Sequence, residues 1–260
     1  MVNQPLASIH PDAKIADGVI IDPFVYVAAD VEIGEGTHLF PGAVVLDGAR
    51  IGRNCKIHPG AVIAGEPQDL KFKGEKTTAV IGDNTTIREC ATVNRGTASK
   101  GTTIVGSNCL IMAYSHIAHD CVIGDNVICS NDCQVAGEVV IDHHAVIGGG
   151  SLIHQFCHIG AHVMMQGGSL VNKDVPPYII CARNPISYTG INFVGLRRRG
   201  FTPEQIASLQ EIYRIIFNSD MNTSVALEAV EQQIPESDFR NEIVEFIRNS
   251  QRGILKGNNY

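Results

Sequence analysis

Seven of the ten histidines in this 260-residue chain fall between positions 116 and 162, interleaved with carboxylates and glycines. Histidine changes charge near neutral pH, so it can take a proton from a hydroxyl and hand it to a leaving group. His119 is followed directly by Asp120, and a carboxylate beside a histidine can orient its ring. Gly137 offers a backbone amide with no side chain in the way, a donor type that steadies an oxyanion. His116, Glu138, His154 and Gln155 are the other polar groups of this stretch with chemistry to offer. Arg197-Arg198-Arg199 is the dense basic run of an acidic chain, suited to a phosphate or an acidic partner, or else to a solvated helix edge.

The element that must position these groups is a six-residue repeat. Aliphatic residues recur at Ile9, Ile15, Ile21, Val27, Ile33, Leu39, Val45, Ile51, Ile57 and Ile63, then at Ile81, Ile87 and Val93. From Val105 the same phase runs through Ile111, Ile117, Ile123, Cys129, Val135, Ile141, Ile147, Ile153, Ile159 and Met165 to Val171. Asp69, Glu75 and Ser99 are its breaks. A period of six rotates poorly on a helix, but it is even, so an extended chain returns to one face. Glycines such as Gly34, Gly52, Gly82, Gly106, Gly124, Gly148 and Gly160 follow the aliphatic residue and mark bends. Short strands bent at every hexad predict a three-sided parallel β-helix with about 18 residues per coil and coils about 4.8 Å apart. Two positions before the aliphatic residue stand small or β-branched residues, among them Cys55, Cys109, Cys121, Cys133 and Cys157. The spacing reads these thiols as core filler rather than redox or metal groups.

An 18-residue coil places His119, Gly137 and Gln155 in one column and Asp120 and Glu138 in the next. His116 and His154 join the same band. The plain alternative is a polar face, to which His143, His144, His158 and His162 are assigned. A zinc site held by histidines is the sharper rival, but nothing in the sequence demands it; nothing beside Cys129 and Cys133 completes a zinc set either, and no metal or other cofactor is expected.

Composition narrows the function classes. A formal charge of −7 argues against a nucleic-acid partner. The N-terminal Met1-Val2-Asn3-Gln4-Pro5 is no secretory signal, and no apolar run approaches the roughly 18 residues of a membrane span. The eight scattered cysteines read as reduced thiols, and a cytoplasmic protein without membrane insertion is expected.

The repeat breaks at 64–78 and 98–103, where a polar loop should leave the prism. Pro176-Pro177 ends the coils. Thr202-Pro203-Glu204-Gln205 opens a helix with a capping box, and Ile206, Leu209, Tyr213 and Ile216 follow at helical spacing. Further helices are expected over 224–233 and 238–250. The chain thus divides into a β-helix over 1–190 and an α-helical domain over 191–260.

Several segments resemble one family, the UDP-N-acetylglucosamine O-acyltransferases of lipid A synthesis. They are PQDLKF (67–72), NRGT (94–97), HIAHDC (116–121), HQFC (154–157), IGAHVM (159–164), DVPPY (174–178) and GLRRRGF (195–201). AGEVVID and SYTGINFVGLRRRGF look like the Bacteroidetes type. The resemblance implies a left-handed β-helix and a homotrimer with active sites between prisms. It implies transfer of a 3-hydroxyacyl group from acyl carrier protein to the sugar 3-hydroxyl of UDP-N-acetylglucosamine. In that reading His119 is the general base, Asp120 orients it and the Gly137 amide holds the oxyanion. Asp69, Lys71, His116, His154 and Gln155 line the substrate site, with Glu138 beside them. Asn192, Arg198 and Arg199 hold the nucleotide half, and Gly167 matches the position that limits acyl length, where glycine leaves room for a long chain.

Two positions depart from the family pattern: Glu138 stands where many members have His, and Val194 where many have Glu. Rival readings are the N-acyltransferase of the same pathway, whose extra N-terminal domain has no room before Ile9, and a coenzyme A-dependent transferase of small acyl groups. A zinc hydratase of the γ-carbonic-anhydrase type and a non-catalytic assembly module are the others.

Overall fold

Hexads with one inward aliphatic residue give strands of mostly two residues, each closed by a turn. The computed structural model describes residues 5–217 and 221–257. Asparagine is common where the turn needs a left-handed backbone, as at Asn54, Asn84, Asn108 and Asn126, with φ from 53° to 60°. The strands stack into three sheets of nine, eight and ten strands among the described residues. All pair in parallel except the last hairpin. This arrangement fits a left-handed parallel β-helix.

Register shows how the repeat survives its interruptions. Ile141 pairs with Ile123 below and Ile159 above, each 18 residues away. Thr92 pairs with Val62, 30 residues back, and His116 with Thr92, 24 residues back. The two excursions therefore add twelve and six residues to a coil, whole hexads in both cases, and the inward phase is kept. Both leave from the same edge of the prism. Residues 66–77 join Val62–Gly65 of the first sheet to Thr78–Ile81 of the second, and residues 95–101 join Thr92–Asn94 to Thr102–Val105.

The core is the stack of inward residues. Leu39, Ile57, Ile63, Ile87, Ile111, Ile117, Ile141, Ile147 and Ile159 are fully buried. The small positions fill the space between them, and Cys55, Cys109, Cys121, Cys133 and Cys157 are buried free thiols, as their spacing predicts. Burial pushes their thiols up, to about 11 at Cys109, Cys133 and Cys157 and about 12 at Cys121.

The prism ends in a device the repeat does not announce. Ile179–Ala182 pairs in parallel with Met164–Met165 and then turns back, antiparallel, into Ser187–Ile191. Four helices follow: α1 (Phe193–Arg198), α2 (Pro203–Phe217), α3 (Thr223–Gln233) and α4 (Asp238–Asn249). The expected capping box is present, with Gln205 N donating to Thr202 Oγ1 at 3.3 Å and Thr202 N to Gln205 Oε1 at 2.9 Å. α1 was not expected, because six residues are too few to show a period. α2 packs on the hairpin: Tyr213 is fully buried, donates to Pro177 O at 2.6 Å and stacks with Tyr188 and Phe217. Asp174 gathers the chain's end. It accepts from His158 N at 2.8 Å and Ser250 Oγ at 2.6 Å, and its backbone bridges Ile254. No helix among the described residues is long and apolar enough to cross a membrane.

Of the eight thiols only Cys90 is exposed. A thiol-specific reagent should modify one cysteine per native chain rapidly and all eight after unfolding. Rapid loss of two or more native thiols would contradict the packing.

Candidate active site

The corner between the first and second sheets carries most of the residues singled out for chemistry. His119 and Asp120 lie in the turn between His116–Ile117 and Val122–Ile123. Gly137 and Glu138 lie one coil above, and His154 and Gln155 one coil above that. The loop with Asp69 and Lys71 leaves the same corner two coils below His119, about 10 Å away along the stack.

Asp120 is wholly buried. Oδ1 accepts from the Thr97 and Lys100 amides at 3.0 and 3.2 Å, and Oδ2 accepts from Thr97 Oγ1 at 2.6 Å. Oδ2 also faces His119 Nδ1 at 2.8 Å. Burial pushes this carboxyl up, but the hydrogen bonds from Thr97, His119 and Lys100 outweigh it and hold the group below its ordinary value. An ionised Asp120 can only accept, so Nδ1 of His119 carries the proton and Nε2 keeps its lone pair.

A glycine is required at 137, where the backbone packs against that ring. A Cβ there would stand 2.6 Å from both Cε1 and Nε2 of His119. Glu138 N is tied to His119 O at 3.0 Å and Phe156 N to Gly137 O at 3.2 Å, so the coil fixes the peptide. The Gly137 amide itself has no acceptor among the described residues. A base with a free nitrogen and an unused amide donor thus share one corner.

The neighbours fill out the site. His116 Nδ1 faces Thr92 Oγ1 at 2.7 Å, and burial together with nearby His119 lowers its imidazole below the ordinary value. Glu138 lies 3.9 Å from Lys100 Nζ, which also donates to Asp120 O at 3.4 Å. The charge that departs from the family pattern is therefore paired. His154 and Gln155 are exposed along the same edge. Asp69 Oδ1 caps the Lys71 amide at 2.9 Å and turns the loop tip, with Leu70 fully exposed. No hydrogen bond or ion pair among the described residues links Asp69 or Lys71 to the His119 group. Thr97 and Lys100, the residues that hold Asp120, are the positions that sequence reasoning missed. The signals are the NRGT segment, which ends at Thr97, and the second break itself, which contains Lys100.

Other expected residues lie at other corners. Gly167 sits in the turn from the third sheet to the first, between Met164–Met165 and Leu170–Val171. Arg199 reaches the corner between the second and third sheets, donating to His144 O at 3.2 Å. Arg198 is exposed on α1, and Val194 is half-exposed. Asn192 is buried: its side chain caps α1 by accepting from Gly195 N at 3.1 Å and donates to His162 O at 2.9 Å. A cavity of about 860 Å³ lies between α4 and the prism and includes Asp142, Asp174, Asp238 and Glu242 in its walls, an acidic setting unsuited to a diphosphate.

Hexapeptide coils with a histidine and carboxylate at one corner define a hexapeptide-repeat transferase. The family model described as bacterial transferase hexapeptide (six repeats) matches residues 12–44, 30–65 and 102–128. A second, UDP-N-acetylglucosamine O-acyltransferase domain 2, matches residues 174–255. The solved UDP-N-acetylglucosamine acyltransferase of Bacteroides fragilis is 54% identical with a TM-score of 0.96, over 97% of this chain and 99% of that one. Among curated relatives, the acyl-[acyl-carrier-protein]–UDP-N-acetylglucosamine O-acyltransferase of Xylella fastidiosa is 39% identical over 97% of each chain. That of Burkholderia mallei is 40% identical over 75% of this chain and 76% of its own. The chain belongs to the UDP-N-acetylglucosamine O-acyltransferase family.

Asp120 bears on stability as well as on His119. Its folded value lies below the unfolded one, so its contribution is present above about pH 4 and is lost as pH falls through the lowered value. Asp120→Asn should cost about 1–3 kcal/mol near neutral pH, a difference that shrinks in acid. Denaturant titrations over a pH series would show it. A cost independent of pH would mean the carboxylate is not what Thr97 and Lys100 bind.

Proposed function

We propose that this enzyme transfers a 3-hydroxyacyl group from acyl carrier protein to the 3-hydroxyl of UDP-N-acetylglucosamine, opening lipid A biosynthesis in the cytoplasm. The observation that carries the reading is the His119–Asp120 pair, with the His119 ring packed against Gly137, whose amide is unengaged among the described residues. His119 Nε2 takes the proton of the sugar hydroxyl, and the oxygen attacks the thioester carbonyl. The carbonyl oxygen gains charge, and the Gly137 N–H donates to it. Collapse expels the carrier's thiolate, which takes the proton back from His119. Asp120 keeps Nδ1 protonated throughout and stabilises the charged imidazole.

Within this proposal Asp69, Lys71, His116, His154 and Gln155 hold the sugar and the acyl chain at the corner. The Lys100–Glu138 pair keeps net charge there low. Arg198 and Arg199 take the diphosphate, and Asn192 serves them by fixing α1. Residues 1–190 form the coil and 191–260 the helical domain.

The placement of these groups supports a homotrimer. His119, Gly167 and Arg199 stand at three different corners of one prism, so one substrate can meet all three kinds of group only between copies. Tyr114, Leu152, Met164 and Leu170 are exposed apolar residues around the corner that bears Gly167. A neighbour's His119 corner set there would bury them and bring Gly167 to the acyl chain.

The test is purified protein with UDP-N-acetylglucosamine and a series of acyl carrier protein thioesters. His119→Ala should lower kcat by about 10²–10⁴-fold with the oligomer intact. Near-normal turnover would remove the assigned base. Gly167 has no left-handed backbone, and an added Cβ would lie 3.0 Å from Gly149 O, so a larger residue can be seated with a small shift. Gly167→Met should move preference to shorter acyl chains, and unchanged selectivity would refute its role as a ruler.

A further inference from the structure

The geometry points to a divalent transition-metal site formed by His143, His144 and His162, at the corner between the second and third sheets. Each of the three offers a ring nitrogen within 4.8 Å of the others. By spacing alone these residues belong to an ordinary polar face. The left-handed backbone of His144, φ 61°, turns it back toward the other two.

The coil stack holds the donors in place. His144 N donates to Asp125 O at 2.9 Å and His162 N to His143 O at 3.1 Å. Nδ1 of His143 and Nδ1 of His144 are 3.0 Å apart. Two nitrogens bound to one ion at about 2.0–2.1 Å are separated by about 3 Å, so this pair already spans an edge of a coordination shell. His162 supplies the independent observation. It is 7% exposed, and its Nδ1 has no hydrogen-bond partner among the described residues. Its ring is clamped, stacked on His144 at 4.9 Å and on Tyr178 at 5.4 Å, with Phe201 edge-on at 5.4 Å. A buried, oriented and unpaired ring nitrogen is what a ligand to a metal looks like without its ion.

The donor chemistry agrees. The buried Nδ1 of His162 has no hydrogen-bond partner among the described residues, so it is available to a ligand. Arg199 donates to the carbonyls of Gly195 and His144 and keeps its positive charge, which opposes a cation here. Asp125 lies near His144 and has the opposite sign. Three imidazoles with neither thiolate nor carboxylate suit Zn²⁺, Ni²⁺, Co²⁺ or Cu²⁺ rather than Mg²⁺ or Ca²⁺. Of the two facing Nδ1 atoms one carries a proton in the free protein. On binding, that proton moves to the Nε2 of the same ring, so no charge is lost from the protein. His143 is exposed and leaves the remaining position to water. Because His162 O also accepts from Asn192, the ion would brace the corner on which α1 rests.

The site does not depend on the proposed reaction, and its test reads metal, not turnover. Chelator-stripped full-length protein is titrated with Zn²⁺ and, separately, with Co²⁺, with bound metal counted after gel filtration and the visible cobalt bands recorded. One ion per chain is expected for the wild type. His143→Ala/His144→Ala, at exposed and half-exposed positions, should bind at least about 100-fold more weakly with an unchanged circular dichroism spectrum. A control, His38→Ala/His58→Ala, should bind like the wild type. A wild type that binds no ion, a His143→Ala/His144→Ala variant of equal affinity, or a control that loses the ion would each overturn the assignment.

Discussion

Every feature of this molecule depends on a closure condition: after each coil the chain must stand directly above where it was. Only then do the carbonyls of one coil meet the amides of the next, and only then does Ile141 rest on Ile123 and beneath Ile159. The prism is too narrow to absorb a mismatch, since each face admits one large and one small inward side chain. Extra residues are tolerated as whole hexads that leave at a corner and return to it. The two excursions, twelve and six residues beyond a coil, obey that condition.

Closure is also what makes the reactive corner rigid. His119 does not rely on a flexible loop for its position. Its ring lies over the peptide of the next coil, and its partner Asp120 is held in a left-handed turn, φ 60°, by a hydroxyl and two amides. Burial works against the Asp120 charge and hydrogen bonding works for it. The second wins because the excursion at 95–101 folds its amides onto the carboxylate. The interruption that looks like a defect in the repeat supplies the clamp for the proposed base.

What could be read in advance follows from the range of each interaction. The inward hexads, the buried thiols and the capping box of α2 are local rules, so they were visible as spacing. The column of His119, Gly137 and Gln155 needed only the coil length. Groups that meet through an excursion or through adjacent turn residues were invisible: Thr97 and Lys100 on Asp120, Asn192 beneath α1, and His143 and His144 beside His162. Their meeting is set by backbone conformation at single turn residues and by how a loop returns, and neither leaves a period. Gly137 lay between the two cases. Its column was legible, but the 2.6 Å that excludes a Cβ was not.

A stack of parallel coils has an unpaired edge at its end, and such an edge invites another chain to continue it. Here Ile179–Ala182 takes the last parallel place on the third sheet, and Ser187–Ile191 forms its edge in the antiparallel sense. On the second sheet Val175 lies over Ile159, and the chain's end is tied across Asp174. A further coil would have to enter in parallel and at full hexad register, and it finds an antiparallel strand and α2 in its way. The antiparallel turn thus acts as a stop to fibre growth. A repeat able to template itself without limit is kept to a particle of fixed length.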